Sequence, residues 1–301
     1  MIYLPFGVHI HNLIDDLRIF SWEAADIFLH YNKILKDSEI NIDLLRNNNK
    51  DNPVTLVDLK VNDLIIKRIN EKYKEIGWGI LSEENAKKEP NNLISNSEWL
   101  WILDPLDGTK DFIQGTKDYA MHLALSYKGK PIIGVVLVPS RDELWFANGE
   151  KTWCEGRNSS IKNHNLSERS ILNEMTLVRS KNHSNKILET LINKINFDKT
   201  IIMGSIGCKI ASIIRGESDI YICLSLPGGS SPKDWDFAAP EAILKCAGGD
   251  ITNLENESLS YNNKNLEQNG IIIATGNKKT HKDICFQIKE VIKKYDLYYL
   301  D

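Results

Sequence analysis

The 301-residue chain lacks any long apolar run. No stretch approaches the roughly 18 residues that suggest a membrane span. Its first residues, MIYLPFGVHIHNLIDD, lack a basic region, a long apolar core and a small-residue cleavage site, so a secretory leader is not expected. No CxxC occurs, and the five cysteines (Cys154, Cys208, Cys223, Cys246, Cys285) are odd in number and widely spaced. They read as reduced, mostly core cysteines rather than a disulfide or zinc framework. An excess of one charge is also missing: Lys plus Arg (37) nearly balance Asp plus Glu (41). The net charge of -4 gives no general case for nucleic-acid binding. GxGxxG and GxxxxGK followed by Ser or Thr are both absent, which excludes the Rossmann fingerprint and the P-loop. There is no internal repeat. A cytoplasmic protein that spans no membrane and binds no nucleic acid is the expectation.

What is present is a core. Hydrophobic residues make up 42%, and the length allows one large domain or two sub-domains of roughly 150 residues. Residues 10–36 carry helical spacing through Leu13, Leu17, Phe20, Ala24, Phe28 and Leu35. The polar run at 46–53 is a loop by composition, and 56–76 form a second helix stopped by Gly77. WGIL (78–81) and WLWIL (99–103) read as strands, the second buried and stopping at Asp104. Residues 119–127, 131–138 and 144–147 continue the strand pattern. The second half alternates: strands at 176–180, 200–204, 220–224 and 271–275, helices at 184–195, 205–215, 236–247 and 280–294. The boundary is expected between 160 and 175, dividing an α+β half (1–165) from an α/β half (166–301).

Carboxylates gather at the ends of these elements. In Trp101-Ile-Leu-Asp104-Pro-Leu-Asp107-Gly-Thr109-Lys-Asp111, two acids lie three residues apart where a buried strand ends. Pro105 cannot donate to a ladder, Gly108 allows a tight turn, and Thr109 is a plausible helix cap. Acids there can hold hard cations, and free amides of Gly108 and Thr109 can hold a phosphate. Alone, a DxxDG is more often a turn with solvated acids. Asp236, in Asp234-Trp-Asp-Phe-Ala-Ala-Pro240-Glu, reads first as an N-cap, with Pro240 tolerated near the first turn. Glu83–Glu84 after a strand and Asp58 at a helix start are uninformative singly. The Trp99–Trp101 pair reads as core, and His9, His11, His30, His122, His164 and His281 form no ligand pattern.

Together the segments VTLVD (54–58), LSEE (81–84), WILDPLDGTKDF (101–112) and WDFAAPEAILKCAGG (235–249) resemble the inositol monophosphatase superfamily in order, spacing and flanks. DPLDGTK with LSEE, and GKPIIGVVLVP (129–139), are most similar to its CysQ-like 3'(2'),5'-bisphosphate nucleotidase branch. The resemblance implies a layered αβαβα sandwich with metals between the halves. It implies that Glu83, Asp104 and the Leu106 carbonyl hold one Mg2+, that Asp104, Asp107 and Asp236 hold a second, and that Glu83 assists a third, weaker ion. Asp58, Thr109 and Glu83 would be catalytic, with Asp58 and Thr109 positioning the attacking water and Gly108 and Thr109 binding phosphate. Ser180, His183, Ser205 and Lys209 resemble substrate-facing positions. The implied reaction is hydrolysis of the 3'-phosphate of adenosine 3',5'-bisphosphate, or of its 5'-phosphosulfate form, to AMP and phosphate, with Li+ inhibition and a place in sulfur assimilation. Ser180-Lys-Asn-His183 and GSIGCK (204–209) depart from the branch's patterns, and 226–236 is insertion-like. An inositol or sugar phosphate therefore stays open as substrate, as do monomer and homodimer. Lys209 reads equally well as an exposed helix lysine.

Overall fold

The computed structural model describes residues 4–37, 56–89, 96–181, 185–226, 229–262 and 265–297. The expected loop at 46–53 and His183 lie outside them. Helix α1 (Ile10–Asp37) buries Leu13, Leu17, Phe20, Ala24 and Phe28, as its spacing required. Helix α2 (Leu56–Tyr73) buries Val57, Val61, Ile65 and Ile69, a four-residue repeat on one face. It ends through a short 3-10 turn at Gly77, whose φ of 70° only glycine adopts freely.

Both helices cover one face of a seven-stranded sheet. Its order is β1 (Gly79–Ser82), β2 (Trp99–Asp107), β3 (Ala120–Tyr127), β4 (Lys130–Val138), β5 (Glu143–Ala147), β6 (Thr152–Glu155) and β7 (Ile161–Lys162). β1 and β2 run parallel and the rest antiparallel. Short helices α3 (Glu83–Lys88) and α4 (Thr109–Ile113) leave the ends of β1 and β2.

The chain then builds a five-stranded sheet from β8 (Thr176–Ser180), β9 (Lys199–Met203), β10 (Ile220–Ser225), β11 (Asp250–Asn253) and β12 (Gly270–Thr275), in the order β11-β12-β10-β8-β9. Helices α5 (Lys186–Ile195), α6 (Ile206–Ile214), α7 (Asp234–Ala247) and α8 (Lys278–Lys294) alternate with them. All of α6 and most of α7 are buried, as expected of helices that face apolar surroundings on every side. They lie between the sheets, in one core with Val136 and Trp145 of the first and Val178 and Ile272 of the second. α5 and α8 cover the outer face of the second sheet, Leu188, Leu191, Ile284 and Ile288 packing on Ile220 and Ile273. Each such side chain contributes roughly 1.5–3 kcal/mol of burial. The result is the expected αβαβα sandwich. β6, β7 and β11 are additions, too short for periodicity to reveal. All five cysteines are unpaired.

Three local expectations are corrected. β2 does not stop at Asp104 but runs on to Asp107 through a bulge: Asp104 pairs with His122 and Asp107 with Ala120, so β2 spends one residue more than β3. Pro105, without an N–H, is accommodated by that irregularity rather than ending the strand. Gly108, at φ 88°, caps α4, and Thr109 is its first residue. Asp236 is the third residue of α7, not its cap, and Pro240 is the seventh, beyond the first turn.

Candidate metal centre and active site

Parallel pairing of β1 and β2 places Ser82 opposite Leu103, so β1 ends where β2 reaches Asp104 and Glu83 follows beside it. The bulge then matters. Strand residues three apart face opposite sides of a regular sheet, and one inserted residue returns Asp107 to the side of Asp104. From the central layer α7 delivers Asp236. Carboxylate oxygens of Asp104, Asp107 and Asp236 lie within 4.8 Å of one another. Asp104 is buried, and the other two are partly exposed.

Each acid is held differently. Asp104 Oδ1 accepts from the Leu106 amide at 3.0 Å. Asp107 Oδ2 accepts from the Ser205 hydroxyl at 2.7 Å, from the Ile206 amide, and from the Gly207 amide at 3.3 Å. It thus sits on the N-terminus of α6, where helix amides and the macrodipole favour an anion. Asp236 Oδ2 accepts from the Lys233 amide at 2.5 Å. Thr109 Oγ1 lies 3.2 Å from Asp58 Oδ1 and 3.0 Å from the Leu106 carbonyl, and its single proton serves one at a time.

Burial, then the charge of Glu83, Asp107 and Asp236, pushes the Asp104 carboxyl well above the usual carboxylate range. Burial, then Asp107, does the same to Asp236. Glu83 is raised by burial although Lys87 opposes it. Among the described residues, no lysine or arginine ion-pairs with Asp104, Asp107 or Asp236. Crowded oxygen donors with no lysine or arginine in direct contact fit a hard divalent cation such as Mg2+ or Ca2+. The residues present therefore suit the metal that the sequence implied.

Ser205 and Lys209, expected to face substrate, both make contacts within the protein at the start of α6. The Ser205 hydroxyl donates to Asp107 and accepts from the Cys208 amide at 3.2 Å, capping α6. Lys209 is buried, not an exposed helix lysine. Its Nζ donates to the Gly204 carbonyl and to the Ser205 carbonyl at 3.0 Å, 5.4 Å from the Tyr221 ring centre. Burial pushes its pKa down, with Asp107 opposing. Ser180 ends β8, hydrogen-bonded to Tyr221.

Two residues escaped sequence reasoning. His122, fully buried, stands 3.3 Å from Asp107 Oδ2 through Nε2 and 3.3 Å from the Trp235 carbonyl through Nδ1, tying β3 to the start of α7. Gly207 exists for this contact, because a Cβ there would lie 2.2 Å from His122 Nε2. Lys87 pairs with Glu83 and Glu84. Its i+4 spacing from Glu83 was the available signal.

Comparison with known proteins agrees with this geometry. The Inositol monophosphatase family matches residues 20–293. The chain belongs to that family. Over 209 residues it is 32% identical to the 3'(2'),5'-bisphosphate nucleotidase CysQ of Buchnera aphidicola, covering 69% of this chain and 74% of that one. It is 27% identical over 241 residues to the inositol-1-monophosphatase of Bacillus subtilis, covering 78% and 84%. The solved structure of CysQ from Bacteroides thetaiotaomicron superposes with a TM-score of 0.65 at 25% identity, over 88% of this chain and 98% of that one. The sandwich is the one this family shares. The protein is a phosphatase of a metal-dependent family, its acidic cluster the candidate metal centre. No helix among the described residues is long and apolar enough to cross a membrane.

Proposed function

We propose that the protein is a Mg2+-dependent, Li+-sensitive 3'(2'),5'-bisphosphate nucleotidase that releases the 3'-phosphate of adenosine 3',5'-bisphosphate as inorganic phosphate, leaving AMP, and acts likewise on the 5'-phosphosulfate form. The observation that carries the chemistry is the convergence of Asp104, Asp107 and Asp236 within 4.8 Å. The 32% identity to a CysQ nucleotidase supports the substrate. Glu83, Asp104 and the Leu106 carbonyl hold one ion in this reading, and Asp104, Asp107 and Asp236 the other. Bound Mg2+ supplies neutralisation of the phosphoryl oxygens and a water of lowered pKa. Asp58, accepting from the Thr109 hydroxyl, and Thr109 itself would orient the attacking water, and the Leu106 carbonyl would then be free to serve an ion. Amides of Gly108 and Thr109 receive phosphoryl oxygens at the start of α4. Clearing this nucleotide belongs to sulfur assimilation in the cytoplasm.

Phosphate release with Mg2+ tests the reading on adenosine 3',5'-bisphosphate, inositol 1-phosphate and fructose 1,6-bisphosphate, each with and without Li+. Preference for the nucleotide supports it. Preference for inositol phosphate, for which the Bacillus subtilis relative speaks, keeps the metal chemistry and replaces the substrate. Asp107→Asn should abolish turnover while far-UV circular dichroism stays unchanged. Full activity in that variant removes Asp107 from the metal set.

A further inference from the structure

The two ends of the candidate centre differ in one respect. Among the described residues, Asp104, Asp107 and Asp236 face one another with no lysine or arginine ion-paired to them. Glu83 has one. Lys87, one turn along α3, reaches back with Nζ 2.9 Å from Glu83 Oε1 and 2.8 Å from Glu84 Oε1. Positions i, i+1 and i+4 bring the three groups together on this short helix. Glu84 is 3% exposed, Glu83 17% and the Lys87 side chain 30%, so the cluster is shielded more than an ordinary surface ion pair. Glu83 also lies close enough to Asp104 for its charge to raise that carboxyl's pKa, so it has the acidic cluster on one side and the ammonium on the other.

We propose that Lys87 is the resident counter-ion of Glu83 and limits the metal complement of the site to two ions. The inference rests on the reading above, in which Glu83 and the three aspartates hold metal. A further cation bound through the outer side of Glu83 must displace the ammonium or sit beside it. A single and a double positive charge about 5 Å apart repel enough, even in a water-like dielectric, to weaken binding roughly tenfold. Two unshared carboxylates would attract a third ion, whereas the Glu83–Glu84–Lys87 group carries only one net negative charge.

Calorimetric titration of Mg2+ into the full-length, substrate-free protein tests this without reference to turnover. Lys87→Met is expected to bind one additional Mg2+ per chain, or to bind its weakest ion about tenfold more tightly. Lys87→Arg should match the wild type. Lys88→Met, an equal loss of charge at an exposed neighbour, should match it too. If Lys87→Met does not fold because Glu84 is stranded, Lys87→Gln, which removes the charge but keeps a donor for Glu84, carries the same measurement. Equal stoichiometry and affinity in the variant and the wild type overturns the role of Lys87, as does weaker binding in the variant. A wild type that binds no Mg2+ overturns the metal reading itself, so the two failures are distinguishable.

Discussion

Replacing Asp104 by Asn should stabilise the metal-free protein while destroying its function. Carboxylate oxygens of Asp104, Asp107 and Asp236 lie within 4.8 Å of one another. Two unit charges at that separation repel by about 0.9 kcal/mol in a water-like medium and by about 3.5 kcal/mol at an effective dielectric of 20. Asp104 is buried and has Glu83 beside it as well. Asn keeps the shape and the Oδ1 that accepts from the Leu106 amide. Wild type relieves part of the repulsion by taking up protons, so the expected net gain is about 1–3 kcal/mol. At roughly 2 °C per kcal/mol, the variant melts a few degrees higher in chelator. With Mg2+ the order reverses, because the wild type gains binding energy and the variant does not. The pH dependence has a definite sign. The Asp104 pKa is raised in the fold, so its penalty is present above that pKa and lifts as pH falls through it. The variant's advantage should therefore narrow on acidification. Thermal melts in chelator at several pH values check this. An Asp104→Asn protein melting at or below the wild type at neutral pH would refute the electrostatic account of the cluster.

Lys209→Met should cost about 1–3 kcal/mol, read as a lower urea midpoint at unchanged slope, because the Gly204 and Ser205 carbonyls lose their buried partner. Gly207→Ala should destabilise by about 1–3 kcal/mol, outweighing a helix-propensity gain near 1, since its Cβ would meet His122 and lie 2.9 Å from Val136 Cγ1. It should also weaken Mg2+ binding in a calorimetric titration, as the start of α6 is pushed off Asp107. His281 is buried between the hydroxyls of Thr252 and Thr275, each 2.8 Å away, and burial lowers its pKa to about 4. The unfolded chain thus binds its proton first, and stability falls between about pH 6.5 and 4 by up to ~3 kcal/mol. His281→Gln should flatten that part of the pH–stability curve.

Periodicity and punctuation carried most of the fold. The four-residue repeat of Val57, Val61, Ile65 and Ile69, or the unbroken WLWIL before Asp104, needs no tertiary knowledge. β6 and β7, four and two residues long, offer too few positions for a period to emerge. The three aspartates were legible as motifs, but their convergence was not. An uninterrupted strand would have sent Asp104 and Asp107 to opposite faces, and nothing local announces the bulge at Pro105. The partners of Ser205 and Lys209 were illegible for a related reason. A polar residue near a site is ambiguous until its partners are known, and theirs turned out to be Asp107 and two backbone carbonyls. His122 sits amid the apolar run of β3, and its role follows only from its register opposite Asp104.

These placements make the centre a property of the closed sandwich rather than of any one segment. Asp104 and Asp107 belong to the first sheet, whereas Asp236 and the amides gripping Asp107 belong to α7 and α6 in the central layer. His122 bridges the two, touching Asp107 on one side and the Trp235 carbonyl on the other. The helices reach this position only because their apolar surfaces are buried against both sheets at once. Hydrophobic burial thus does the work of assembling mutually repelling carboxylates. The repulsion stored there is released when a cation binds. Cation binding at such a site would be coupled to the packing of α6 and α7 rather than to the DPLDGT loop alone.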